Sequence, residues 1–345
     1  ITPLYEAILI DEAQDFPPEF LRLCYEILDN HKRLVYAYDE LQNLSSESLP
    51  GPEEIFGKNE DGTPKVVFLP ATPGNPLQDI ILEKCYRNSR PVLVTAHALG
   101  FGVYRVPPKD KTTGFIQIFE SPQLWQDIGY RIKEGSLVEG KQVALYRSED
   151  TSPRFLEDHS AIDDLVRFIP FNNDADQIEW LVKEIQKNLY EEELRYDDIV
   201  VINPDPLTTK ERVGPVRKRL FDLGIQSHLA GVDTDPDIFF RTDTPSITFT
   251  GIYRAKGNEA GMVYILNAQD CHKSDINLAR IRNRLFTAIT RSKAWVRVLG
   301  IGDDMKNIID EFNSLKRMNF ELHFRYPTLA EQQQIKIVHR ELSDK

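Results

Sequence analysis

Apolar residues along this chain come in short runs that end on polar ones, and the runs alternate with stretches of helical period. Ala7 to Ile10 reads as a short buried parallel strand that stops at two carboxylates, Asp11 and Glu12. Pro17 and Pro18 suit the first turn of a helix near 17–30, with Phe20, Leu23, Cys24, Ile27 and Leu28 as its apolar stripe. Arg33–Tyr38 is a second strand, ending in Asp39-Glu40-Leu41-Gln42. Lys65–Leu69 follows as a short strand, Leu77–Cys85 as a helical stretch and Val92–Leu99 as an apolar helix.

The pattern is least regular from Phe101 to about Pro170. Strands are expected at Gly114–Phe119 and Gln142–Tyr146, a helix around Gln123–Glu134, and a solvated loop with Glu157, Asp158, Asp163 and Asp164. The alternation then resumes. Strand Leu165–Phe171 leads to an amphipathic helix, Asp174 to Tyr190, with Ile178, Leu181, Val182, Ile185 and Leu189 on one side. Strand Asp198–Asn203, a helix Glu211–Leu223 closed by Gly224, and strand Ile225–Leu229 continue the rhythm. Strands from Ile247 and over Met262–Leu266 flank a basic turn, and helix Leu278–Ser292 precedes strand Trp295–Leu299. Repeated strand–helix alternation predicts the α/β class, with parallel sheets flanked by helices.

A chain of 345 residues suits two domains. Its net charge of −12 supplies no global positive field for nucleic acid, so such a contact must come from a local patch. Cys24, Cys85 and Cys271 lie far apart, which argues for a reducing, cytoplasmic setting and against a zinc site. No apolar run reaches the roughly 18 residues of a membrane span, so no membrane partner is expected. The chain starts at Ile1 a few residues before a core strand, and is expected to be a piece of a longer protein.

The chemistry concentrates in a few stretches. Asp11 and Glu12 emerge at a strand's carboxyl end, where open α/β sheets bind ligands. A carboxylate there suits Mg²⁺ beside nucleotide phosphates, with a neighbouring Glu to activate water; an acidic loop capping the next helix is the other reading. Arg87, at a turn before a helix, could clamp a phosphate or pair with an acid. In Thr250-Gly251-Ile252-Tyr253-Arg254-Ala255-Lys256-Gly257-Asn258-Glu259, Arg254 and Lys256 offer phosphate contacts and Gly257 allows close backbone approach. Glu259 can accept from a ribose hydroxyl, although a plain arch with a solvated tip fits the stretch too. No Gly-x-x-x-x-Gly-Lys-Ser/Thr occurs, and the decoy Gly51 to Gly57-Lys58-Asn59 has the wrong spacing. The chain therefore carries no phosphate cradle and should not bind ATP tightly.

Asp11-Glu12-Ala13-Gln14-Asp15 resembles motif II (Walker B) of UvrD/Rep-like superfamily 1 DNA helicases. Cys85-Tyr86-Arg87-Asn88-Ser89 resembles their Asn-Tyr-Arg-Ser motif IV, with Cys85 at the Asn position. The stretch around Lys256-Gly257 resembles motif V, departing from it at Gly251, Tyr253, Asn258 and Ala260. Leu285 to Ser292 is similar to motif VI, Tyr-Val-Ala-Leu-Thr-Arg-Ala. The family's base-stacking aromatics after motif III have no counterpart in Asn43, Leu44, Ser45 and Ser46, and the large insertion expected between Leu229 and Ser246 is missing.

The resemblance implies two RecA-like lobes of P-loop NTPase type: the C-terminal part of the first over 1–70, incomplete, and the second over 71–345. It implies ATP and Mg²⁺ as ligands and a motor that grips single-stranded or partly duplex DNA. Asp11 would hold Mg²⁺ and Glu12 would activate water, while Gln14 and Gln42 would sense the γ-phosphate. Arg87 and Arg291 would stabilise phosphoryl charge, Gly257 would approach the nucleotide and Glu259 would meet the ribose. Thr250, Tyr253, Arg254 and Lys256 would face the nucleic-acid backbone. Two rivals are an RNA-directed superfamily 1 enzyme and a non-catalytic RecA-like module that binds a nuclease or regulatory subunit.

Overall fold

Two parallel strands begin the molecule: β1 (Tyr5–Ile10) and β2 (Leu28–Tyr36), joined through α1 (Pro18–Glu26) and followed by α2 (Pro52–Phe56). The computed structural model describes residues 2–44, 49–68, 74, 77–233, 245–274 and 277–338. Ile8, Ile10, Leu34 and Tyr36 turn one face of this small sheet onto Leu21, Cys24, Ile55 and Phe56. The other face is open, with Tyr5 55%, Leu9 78% and Val35 60% exposed, whereas parallel sheets ordinarily bury both faces. Helix α1 starts at Pro18 and ends sooner than expected, so Leu21 and Cys24 meet the sheet while Phe20 and Leu23 stay in solvent. Residues 66–68 form no strand, and Leu69 lies outside the described residues.

The chain continues through α3 (Arg90–Phe101), β3 (Gln117–Phe119), α4 (Leu124–Asp127), β4 (Tyr130–Gly135), β5 (Gln142–Arg147), α5 (Phe155–His159) and α6 (Ile162–Leu165). Then come β6 (Val166–Phe171), α7 (Asp174–Tyr190), β7 (Ile199–Asn203), α8 (Thr209–Asp222) and β8 (Ser227–Leu229). The last part holds β9 (Ile247–Gly251), α9 (Ile252–Ala255), β10 (Ala260–Ile265), α10 (Leu278–Ile289), β11 (Ser292–Ile301) and α11 (Gly302–Arg317). It closes with β12 (Leu322–Arg325), α12 (Leu329–Gln332) and β13 (Lys336–Val338).

Six strands form one parallel sheet in the order β6-β11-β10-β7-β9-β8. Strand alternation divides its side chains between two layers. Val200, Ile202, Val263, Ile265, Val296 and Val298 pack towards α3, α10 and α11, and Val201 and Tyr264 towards α7 and α8. The α/β expectation is therefore met by a parallel sheet covered on both faces. Leu41 and Leu44, which follow β2, belong to this larger core. Most of the stretch between Leu229 and Ser246, where no large insertion is expected, lies outside the described residues.

The least legible regions explain one another. Strand β12 pairs antiparallel with β5, which pairs with β4, and β13 pairs in parallel with β3. The expected helix over 123–134 stops because Gly129 takes φ 99°, and a Cβ there would lie 2.3 Å from the Glu83 carbonyl. Residues 77–85, expected to be helical, form no helix. Buried Arg147 donates to the carbonyls of Glu83 (2.8 Å) and Thr151 (2.9 Å), and the Cys85 amide donates to Thr151 (3.0 Å). No helix among the described residues is long and apolar enough to cross a membrane.

His97 of α3 is buried among Phe101, Tyr130 and Phe286, its Nδ1 2.9 Å from the Tyr130 hydroxyl. Burial, and then Arg147, push its pKa down to about 3. An unfolded histidine binds a proton near about pH 6.5, so stability falls as the pH drops below that value and goes on falling towards the folded pKa. Between pH 7 and 5 the denaturant midpoint should fall. Replacing His97 and Tyr130 together by Phe should flatten that slope, and an unchanged slope would show that His97 is not the neutral group involved.

Candidate functional site at the junction of the two sheets

Strand β1 delivers its two carboxylates into a tight turn. Glu12 adopts left-handed backbone (φ 51°, ψ 45°), an uncommon conformation for a residue with a side chain. The turn is tied to the second strand, with the Ala13 amide donating to the Ala37 carbonyl (2.8 Å) and the Ala37 amide to Ile10 (2.9 Å). Asp11 is exposed and accepts from the Glu12 amide at 2.9 Å.

From Glu12 a line of hydrogen bonds crosses the junction. Gln14 Nε2 donates to Glu12 Oε2 (2.5 Å), and Gln14 Oε1 accepts from the Asp39 amide (3.1 Å). Asp39 accepts from the Leu41 amide (2.9 Å) and from Gln42 Nε2 (2.7 Å). Gln42 Oε1 then accepts from Arg291 Nη2 at 2.5 Å. The structure thus brings Glu12, Gln14, Gln42 and Arg291 together.

Arg291 follows α10 and is only 2% exposed, with Nε donating to the Thr287 carbonyl at 3.2 Å. Burial, and then Arg87, lower its pKa, while Glu12, Asp39 and Glu259 oppose the shift. Asn88, which the sequence reading did not single out, donates to the carbonyls on either side of it, Thr290 (3.2 Å) and Ser292 (2.7 Å). Its adjacency to Arg87 is the only signal in the sequence. Arg87 Nε meets Glu259 Oε2 at 2.5 Å, and Lys293 Nζ meets Glu259 Oε1 at 3.0 Å. Burial alone would raise the Glu259 carboxyl, but Lys293 and Arg87 hold it below the usual range.

The residues expected to face nucleic acid separate. Thr250 is buried, its hydroxyl donating to the Gly251 carbonyl (3.1 Å), whereas Tyr253 is 51% exposed beside exposed Arg254. Gly257 takes φ 74° in open space. The Lys256 side chain, 7% exposed, is ion-paired across the junction to Asp15. Asn43 and Leu44, in place of the family's stacking aromatics, are buried. Of the other helix arginines, Arg282 is wholly buried on Glu311 (2.7 Å) and Arg284 faces Asp205 at 3.6 Å. Neither is a solvated charge.

Residues 246–299 match the UvrD-like helicase C-terminal domain. The matched segment carries Thr250 to Glu259 and Arg291. Among solved structures, the chain is similar to the C-terminal domain of a possible DNA helicase from Lactobacillus plantarum, at 18% identity over 42% of this chain and 81% of that one, with a TM-score of 0.32. It is also similar to the C-terminal domain of the DEAD-box protein Dbp5, at 13% identity over 51% of this chain and 90% of that one, with a TM-score of 0.31. No curated protein matches the chain.

Asn88→Ala strands two buried carbonyls and should cost about 2 kcal/mol in denaturant unfolding. Tyr86→Ala, at a residue 81% exposed, should stay within about 0.5 kcal/mol. Equal effects would contradict the assignment of Asn88 as the brace behind Arg291.

Proposed function

We propose that this chain forms the hydrolytic junction of an ATP-dependent, UvrD-like superfamily 1 helicase or translocase acting on DNA. The observation that carries the reading is the hydrogen-bonded line from Glu12 through Gln14, Asp39 and Gln42 to Arg291. It links a strand-end carboxylate on the small sheet to a buried arginine on the large one. The match of residues 246–299 to a UvrD-like helicase C-terminal domain supports it.

The donor set fits the hydrolytic side of a nucleotide site. Exposed Asp11 suits Mg²⁺, a hard cation that takes one or two carboxylates together with phosphate oxygens. Bound there, the ion would neutralise charge on the phosphates. Glu12, beside it, orients and deprotonates a water. Gln42 Oε1 already occupies Arg291 as a phosphate oxygen would, so Arg291 can turn to a phosphate by exchanging one acceptor for another. Arg87 can do the same from Glu259, which is left to Lys293 or to a ribose hydroxyl.

The cradle for the β- and γ-phosphates is the part that does not fit, because no Gly-x-x-x-x-Gly-Lys-Ser/Thr occurs in the sequence. In this reading a further segment supplies it, and the open face of β1 and β2 is the natural seat for that segment. On the nucleic-acid side, Tyr253 and Arg254 are the exposed groups that can meet a strand, by stacking and by phosphate contact.

Two outcomes test the reading. The 345-residue chain alone should show no DNA-stimulated ATPase, and robust turnover would contradict the missing cradle. In a protein that supplies the cradle, Glu12→Gln should bind ATP normally while turnover collapses, because the amide keeps the shape but takes no proton. Near-normal hydrolysis would move the base elsewhere, and comparing DNA with RNA as stimulator separates the two substrates.

A further inference from the structure

Besides Arg282, helix α10 wholly buries two uncharged polar side chains, Asn283 and Thr287, both 0% exposed. An apolar pair would pack there without polar groups to satisfy, and the arrangement is not free of cost: among the described residues Thr287 Oγ1 and Gln117 Oε1 have no hydrogen-bond partner. Asn283 is nonetheless engaged on both sides. Its Oδ1 accepts from Gln117 Nε2 of β3 at 2.7 Å, and that same nitrogen donates to the Gly100 carbonyl at 3.0 Å. Its Nδ2 donates to two carbonyls of the turn after β2, Asn43 at 3.1 Å and Glu40 at 3.4 Å.

That turn carries Gln42. Leu41 and Leu44 on either side of Gln42 are seated in the large core, and Asn283 caps the seat with directional bonds. About two helical turns further along, Arg291 reaches the side chain of Gln42 itself. One helix therefore holds one turn of the other sheet at two points, the backbone through Asn283 and the working side chain through Arg291.

We infer that Asn283, oriented by Gln117, is a positioning residue that sets the turn bearing Gln42 in register with Arg291. Apolar contacts from Leu41 and Leu44 bury area but tolerate sliding, whereas two carbonyls aimed at one amide do not. This deepens the proposed ATPase reading only in naming what Gln42 and Arg291 act on. The clasp itself is a statement about two packed bodies, and it can be tested without hydrolysis.

Asn283→Asp is the informative variant: it keeps the volume and the bond from Gln117 but removes both donors to the turn. Spin labels at Glu19→Cys on α1 and Lys306→Cys on α11, in a Cys85→Ser background, read the distance between the two sheets by pulsed electron resonance. The parent chain should give one narrow distribution, and Asn283→Asp a broadened one. Amide exchange across residues 40–44 should accelerate about tenfold, the scale of one lost hydrogen bond, while strands β9 to β11 keep their protection. A role in packing alone would leave both readouts where they were. If Asn283→Asp fails to fold, Gln117→Met frees the Asn283 amide without placing a charge, and a smaller change in the same direction is expected. Folded variants with an unaltered distribution and unaltered exchange in 40–44 would overturn the inference.

Discussion

The arrangement depends on the seating of one short turn, Asp39 to Leu44, against helix α10. Its apolar residues are buried in the large core, its backbone carbonyls meet Asn283, and the Gln42 side chain meets Arg291. The same turn looks back to the small sheet, since Asp39 binds both Gln14 and Gln42. A displacement here would break the link between Glu12 and Arg291 without disturbing either sheet. Left-handed backbone at Glu12, held by the pairing of Ala13 and Ala37, completes the constraint from the other end.

The cations at the junction already hold acceptors. Arg291 rests on Gln42, Arg87 on Glu259, and Lys256 on Asp15. Removing one partner of a buried charge costs far more than exchanging it for another acceptor of similar geometry. A triphosphate suits such an exchange, offering several anionic oxygens to cations already in place. Lys256 is the instructive case. Its motif leads one to expect a phosphate contact, yet its side chain is buried on Asp15, so nucleic acid could reach it only by breaking that ion pair.

Much of the large sheet was legible because its signals are local. Asp174 to Tyr190 is helical as expected, with the Asn173 side chain accepting from the Asp176 amide and Leu181, Val182 and Ile185 on the buried side. The regions that misled depend on distant partners. The helix expected over 123–134 is cut short at Gly129, which lies against the Glu83 carbonyl, and the 77–85 segment, expected to be helical, is held by Arg147. Within the site, Glu12, Gln14, Gln42 and Arg291 stood out by motif. Asn88 and Asn283 did not, because they act on backbone carbonyls that any sequence could supply. The pairing of Lys256 with Asp15 was equally invisible, since it joins residues from different sheets.

The central claim is that Arg291 acts across the junction on phosphate charge. The most direct test is the steady-state ATPase of a cradle-bearing protein with Arg291→Ala, measured per folded molecule. A residue acting mainly on the transition state should lower kcat towards about 10³-fold, the lower end of the range for arginine fingers, with ATP affinity changed far less. Arg291→Lys should rescue poorly, because an ammonium lacks the planar fork that matches phosphate oxygens. If Arg291→Ala lowered only the melting temperature and left kcat intact, Arg291 would be a structural cation at the end of its helix, and the account would fail.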